Sequence, residues 1–104
     1  MSNPTVTVSD NEAEHRFEVH VGEELAGFTV FRRRPGVIAF IHTEIEPRFE
    51  GQGLGSQLIR QALETARAEG QAVLPFCPFV NDYIKRHADY VELVPAEHRE
   101  AFDL

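Results

Sequence analysis

The sequence predicts a mixed α+β fold, α/β in the wider sense: a mainly antiparallel β-meander, a glycine-rich turn into a helix, a crossover strand and a second helix. Three observations carry this expectation. Apolar and polar residues alternate with period two through much of the first 45 residues, interrupted by turn residues, as strands do. The string Phe49-Glu50-Gly51-Gln52-Gly53-Leu54-Gly55-Ser56 then separates a strand-like run from a helical pattern. Beyond that helix, a short apolar run at 72–76 reads as a buried strand, and Pro78 suits the first turn of another helix.

The elements follow in order. Residues 1–4 read as a loose terminus and 5–9 as a short strand, with a turn at Asp10-Asn11-Glu12. Residues 16–21 place Phe17, Val19 and Val21 on one face and Arg16, Glu18 and His20 on the other. After Gly22-Glu23-Glu24, residues 26–33 alternate again, and Pro35-Gly36 makes the next turn. The cluster Arg32-Arg33-Arg34 reads as a solvated hairpin tip. Residues 37–45 form the longest strand candidate, apolar on both faces at its start, which fits a central strand. Strict alternation puts Phe40, His42 and Glu44 on one face and Ala39, Ile41, Thr43 and Ile45 on the other.

Residues 54–69 repeat at helical spacing, with Leu54, Leu58, Ala62 and Ala66 on one stripe, joined by Ile59 and Leu63. Gly70 suits the position after a helix end. Residues 72–76 should run parallel to 37–45, because a helix connects them. The second helix turns Phe79, Val80, Tyr83, Ile84 and His87 to one side. Residues 90–94 read as an edge segment and 96–102 as a short acidic helix.

A chain of 104 residues makes one domain, 1–104, with a core large enough to need no cross-links. The single cysteine excludes an internal disulfide. With no secretory or bilayer-length apolar run, a cytoplasmic protein without a membrane partner is expected. Ten basic against 17 acidic residues give a net charge of −7. That balance argues against nucleic acid as the main partner and is compatible with a cationic substrate such as an amine. A monomer is the working expectation. His15, His20, His87 and His98 lack metal-like spacing with one another or with Cys77, so no metal site is expected.

A strand, a glycine turn and a helix N-terminus together suit a phosphate or pyrophosphate. Glycines let the ligand approach the backbone, N–H groups point at it, and the helix dipole favours its charge. The phosphate loop of nucleotide hydrolases would need Lys-Ser/Thr after the last glycine, where Ser56-Gln57 stands. A dinucleotide fingerprint would need an acid at the end of the next strand, which closes instead in Cys77-Pro78.

The string Ile45-Glu46-Pro47-Arg48-Phe49-Glu50-Gly51-Gln52-Gly53-Leu54-Gly55-Ser56, set between a meander and a strand–helix pair, resembles the GNAT acetyltransferase superfamily. With His42-Thr43-Glu44-Ile45 and Pro75-Phe76-Cys77-Pro78-Phe79-Val80 followed by Tyr83, it resembles the minimal branch of roughly a hundred residues. The resemblance covers about residues 14–94. It implies binding of acetyl-coenzyme A as co-substrate and transfer of its acetyl group to an amine acceptor, a small molecule or a protein amine. It also implies a pyrophosphate contact from the amides of Gln52, Gly53, Leu54, Gly55 and Ser56. The preferred register puts Glu50 at the place of an Arg or Gln, with Gly53 and Gly55 as the glycines; a second uses Arg48, Gly51 and Gly53. Larger relatives carry a tyrosine acid on the second helix. Lys85 takes that position here, and Tyr83 lies two residues earlier.

Acyl transfer from a thioester needs a neutral amine, a donor for the oxyanion and a proton for the departing thiolate. The resemblance offers the Ile45 amide as that donor. His42 or Glu44 could take the amine's proton. Cys77, ahead of a helix N-terminus, could accept the acetyl group with His42 as its base, or protonate the coenzyme thiolate. The reading from another class is a coenzyme A-binding module without turnover.

Overall fold

A computed structural model describes residues 5–104, so the expected loose terminus at 1–4 lies outside the described residues. Five strands form one sheet in sequence order: β1 (Val6–Asn11), β2 (Arg16–Val21), β3 (Glu24–Arg34), β4 (Val37–Ile45) and β5 (Ala72–Pro75). The first three pairings are antiparallel, and β4 with β5 is parallel. Helix α1 (Leu54–Ala68) makes the crossover that this parallel pair needs, and α2 (Pro78–Arg86) follows β5. The minimal meander–helix–strand–helix order is the expected one.

The apolar stripe of α1 buries Leu54, Leu58, Ile59, Ala62, Leu63 and Ala66, and α2 adds Val80, Tyr83 and Ile84. They pack with Phe17, Val19, Phe31, Ile38, Phe40 and Val73 in one core. Three phenylalanines anchor it: Phe17 lies 5.4 Å from Phe31 and 6.4 Å from Phe40, ring to ring.

One irregularity decides the site. His42 pairs with Val30 and Phe40 with Phe31, so Ile41 is an extra residue on β4. Such a bulge inverts the alternation beyond it. One cross-strand row is Phe17–Thr29–Thr43, and the next are Arg16–Val30–His42 and Glu18–Phe28–Glu44. Phe17 belongs to the helix-covered core, so Thr43 shares its face while His42 and Glu44 take the opposite one. The strict alternation expected from the sequence, with Phe40, His42 and Glu44 together, is therefore corrected.

The expected edge segment at 90–94 is also corrected: Ala88–Leu93 forms a 3-10 turn. Tyr90 and Val94 are buried at helical rather than strand spacing. Arg67 on α1 draws the segment onto the helix by donating to the Asp89 carbonyl at 3.0 Å and the Glu92 carboxylate at 3.3 Å. Tyr90 donates to Glu64 at 2.6 Å. Burial first, then the Glu64 carboxylate, pushes the Tyr90 phenol up to about 12, so it remains a donor. The C-terminal helix is shorter than expected, α3 (Ala96–Arg99) running into a 3-10 turn at Glu100–Phe102.

Glu18, 7% exposed, is held by Arg16 at 2.7 Å and Asn11 at 2.9 Å. Burial raises its carboxyl, but the hydrogen bonds and the charges of Arg16 and His20 outweigh burial and hold it below the ordinary carboxylate value. A depressed folded value means that the unfolded chain binds more protons, so stability rises with pH in that window. The contribution is full above the unfolded carboxylate value and is lost as pH falls through the folded one. The urea midpoint of wild type should therefore fall faster than that of Glu18→Gln between about pH 5 and 3. Parallel profiles would contradict this account.

Candidate active site

Strands β4 and β5 pair from Val37 with Ala72 to Phe40 with Pro75, and then part. The last tie is Cys77 N–H donating to the Phe40 carbonyl at 2.9 Å. Beyond it, Glu46 N–H donates to Ala26 O on β3 at 2.8 Å. Alternate residues face alternate edges in an antiparallel pair, so the amides of Thr43 and Ile45 point to the edge that β5 has left. Gly27 lets these strands approach closely, since a Cβ there would lie 2.5 Å from Ile45 Cδ1 and 2.6 Å from the Glu44 carbonyl oxygen.

The gap opens into a cleft of about 380 Å³, lined on one side by Thr43 and Ile45 and on the other by Phe49, Glu50, the glycine turn and Phe79. Gly51 and Gly53 sit at φ +80° and +75°, the left-handed region, so the turn needs glycine at both. Gly53 caps α1 with no side-chain hydrogen bond, and no acid stands in the first turn. The first intrahelical bond near the turn is Gln57 N–H to Gly53 O at 3.2 Å, which leaves the amides of Leu54, Gly55 and Ser56 without helical partners. An uncapped N-terminus opening on a cleft fits an anionic group. Gly55 admits the Phe79 ring, whose Cζ would lie 2.5 Å from a Cβ there.

The expected coenzyme-contact residues Ile45, Gly53, Leu54, Gly55 and Ser56 all line this cleft, whereas Gln52 is not among its lining. Leu54 and Leu58 face the core, as the preferred register requires. Arg48, the lead residue of the other register, is ion-paired to Glu24 and stacked on Phe49 at 4.6 Å.

Cys77 caps α2 and is 4% exposed. Its Sγ–H donates to Thr43 Oγ1 at 3.3 Å, and Thr43 donates to Thr29 Oγ1 at 2.9 Å. His42 and Glu44 pair with each other at 3.3 Å across the sheet from Cys77, 59% and 60% exposed. The structure therefore does not join His42 to Cys77, and the expectation of His42 as its base is corrected by the bulge. Thr43 was missed, because only the bulge turns it inward. Its signal was a hydroxyl residue in an otherwise apolar set with Ile41 and Ile45.

Tyr83 is buried, stacked on His87 at 4.0 Å, and its phenol is pushed up mainly by burial. Lys85 is ion-paired with Asp103 at 3.3 Å. Neither lines the cleft. Among the described residues, no three His, Cys, Asp or Glu side chains gather as a metal site, and no helix is long and apolar enough to cross a membrane.

The family described as GCN5-related N-acetyl-transferase matches residues 16–93. In fold the chain is similar to the solution NMR structure of a GCN5-like protein from Staphylococcus aureus. The TM-score is 0.65, at 22% identity, over 90% of each chain. No curated protein matches.

Proposed function

The chain belongs to the GCN5-related N-acetyltransferase family, and from that premise we propose that it moves an acetyl group from acetyl-coenzyme A to an amine at the cleft between β4 and α1. The observation that carries the reading is the cleft's two walls. One is the free backbone edge of β4, and the other is the uncapped N-terminus of α1. The amides of Leu54, Gly55 and Ser56, with Gln52 and Gly53 in the turn, hold the pyrophosphate. The Ile45 amide donates to the acetyl oxygen as the tetrahedral oxyanion forms. Cys77 serves the transfer as acetyl acceptor or as proton donor. His42 and Glu44 take the proton of an amine that approaches from the opposite face of the sheet. The acceptor is a small or protein amine, the net charge of −7 favours a cationic one over nucleic acid, and the protein works as a cytoplasmic monomer without a membrane partner.

Glu50 tempers this reading. Glu50 lines the cleft where pyrophosphate would sit and brings a negative charge to it. Glu50→Gln should tighten acetyl-coenzyme A binding by about three- to tenfold at low salt, with a smaller gain at high salt. Calorimetry at two ionic strengths checks it, and equal affinities would place the side chain away from the ligand.

The same titration on wild type, with coenzyme A release followed on small and peptide amines, tests the function. Binding with release supports transfer. Binding without release leaves the rival reading, a coenzyme A-binding module, which Glu50 and the absence of a tyrosine at Lys85 favour. Absence of binding would remove both.

A further inference from the structure

Cys77 is nearly enclosed and does not line the cleft, whereas its hydrogen-bond partner Thr43 does. The thiol at 3.3 Å and Thr29 at 2.9 Å flank the Thr43 hydroxyl, so the three form a chain Cys77–Thr43–Thr29. A hydroxyl both accepts and donates, and turning its O–H bond moves no heavy atom. The bulge at Ile41 creates the arrangement by turning Thr43 to the face that Cys77 shares. An acetyl carbonyl in the cleft meets Thr43 before it meets Sγ. The S–H bond, meanwhile, points at an oxygen that can pass a proton on.

Resting on the transferase reading above, we propose that Thr43 is a catalytic residue of that reaction, relaying the proton of Cys77 to the departing coenzyme thiolate. The amine nitrogen forms its bond to the acetyl carbon, the carbon–sulfur bond breaks, and its electron pair goes to the coenzyme sulfur. The Thr43 O–H, swung from Thr29 to the cleft, gives its proton to that sulfur while the Cys77 proton moves to the Thr43 oxygen. His42 or Glu44 takes the proton that the acylated nitrogen gives up and releases it to solvent, and Cys77, left as a thiolate, regains one proton from solvent water. The products are the amide and coenzyme A thiol, and Cys77 is never acetylated. The relay supplies the proton that larger relatives take from a tyrosine, in a chain where Tyr83 is buried and Lys85 is engaged with Asp103.

The test is a mutant cycle on the full chain, with acetyl-coenzyme A binding by calorimetry, coenzyme A release with a panel of primary amines, and intact-protein mass spectrometry. Thr43→Val and Cys77→Ala should each lower kcat by about 10²-fold with affinity for acetyl-coenzyme A unchanged. Their combination should lose no more than either alone, because the two residues act as a unit. Thr43→Ser should restore most of the rate, which a purely structural loss would not predict for so small a change. An acetyl adduct on Cys77, wild-type kcat in Thr43→Val, or additive losses in the double variant would overturn the relay while leaving the transferase reading intact. A wild type that neither binds acetyl-coenzyme A nor releases coenzyme A would overturn both, and that failure shows in the parent protein rather than in the variants.

Discussion

Ile45→Pro should lower turnover by roughly 10²–10³-fold while leaving the fold and acetyl-coenzyme A affinity near wild type. The reason lies in which edge of β4 each amide faces. Glu46 N–H holds the ladder to β3, so Ile45 N–H points into the cleft and its loss breaks no pairing between strands. Proline is tolerated where a strand amide has no ladder partner, and Glu44 before it is already extended. A preorganised amide at a developing oxyanion supplies about 3–4 kcal/mol, and proline removes it outright. Ile45→Ala separates the effects, since it trims the side chain and keeps the N–H. Equal turnover in the two variants would remove the amide from the mechanism. Loss of the circular dichroism spectrum in Ile45→Pro alone would show that the amide belongs to the ladder.

Phe40→Ala should destabilise the protein by about 3–5 kcal/mol, a large share of the roughly 5–15 kcal/mol by which domains of this kind are stable. Phe40 is fully buried, beside Phe17, at the last residue where β4 and β5 pair. Its carbonyl holds the Cys77 amide, so the cavity would open directly beneath the point where the strands separate. Urea unfolding followed by circular dichroism measures the loss. A change below about 1 kcal/mol would mean that α1 and α2 close over the gap, contrary to a tightly packed core. If the variant folds only in the cold, Phe40→Leu should fall between the two and keep the order of effects readable.

The elements legible in the sequence are those whose signals are local. Residues 16–21 alternate, residues 37–45 make a long apolar-led run, both are bounded by turns, and β2 and β4 have those limits. The stripe from Leu54 to Ala66 lies in the core, and Gly70 follows α1 at φ +67°. The glycine turn was legible because positive φ and close backbone approach demand glycine in any context. The tail after α2 was less legible. Residues 90–94 carry apolar spacing that suits either a strand or a turn, and only Arg67 and Glu64, over twenty residues earlier in the chain, select the turn.

The sequence alone determined the meander–helix–strand–helix order, the glycine turn with its open helix N-terminus, and Cys77 at the mouth of α2, because each depends on backbone geometry that nearby residues dictate. Tertiary structure alone decided which side chains share that space. One extra residue on β4, invisible to a period-two reading, inverts the faces beyond it. It sends His42 and Glu44 across the sheet and brings Thr43 to Cys77, since the register between strands is set by long-range packing and not by the strand's own residues.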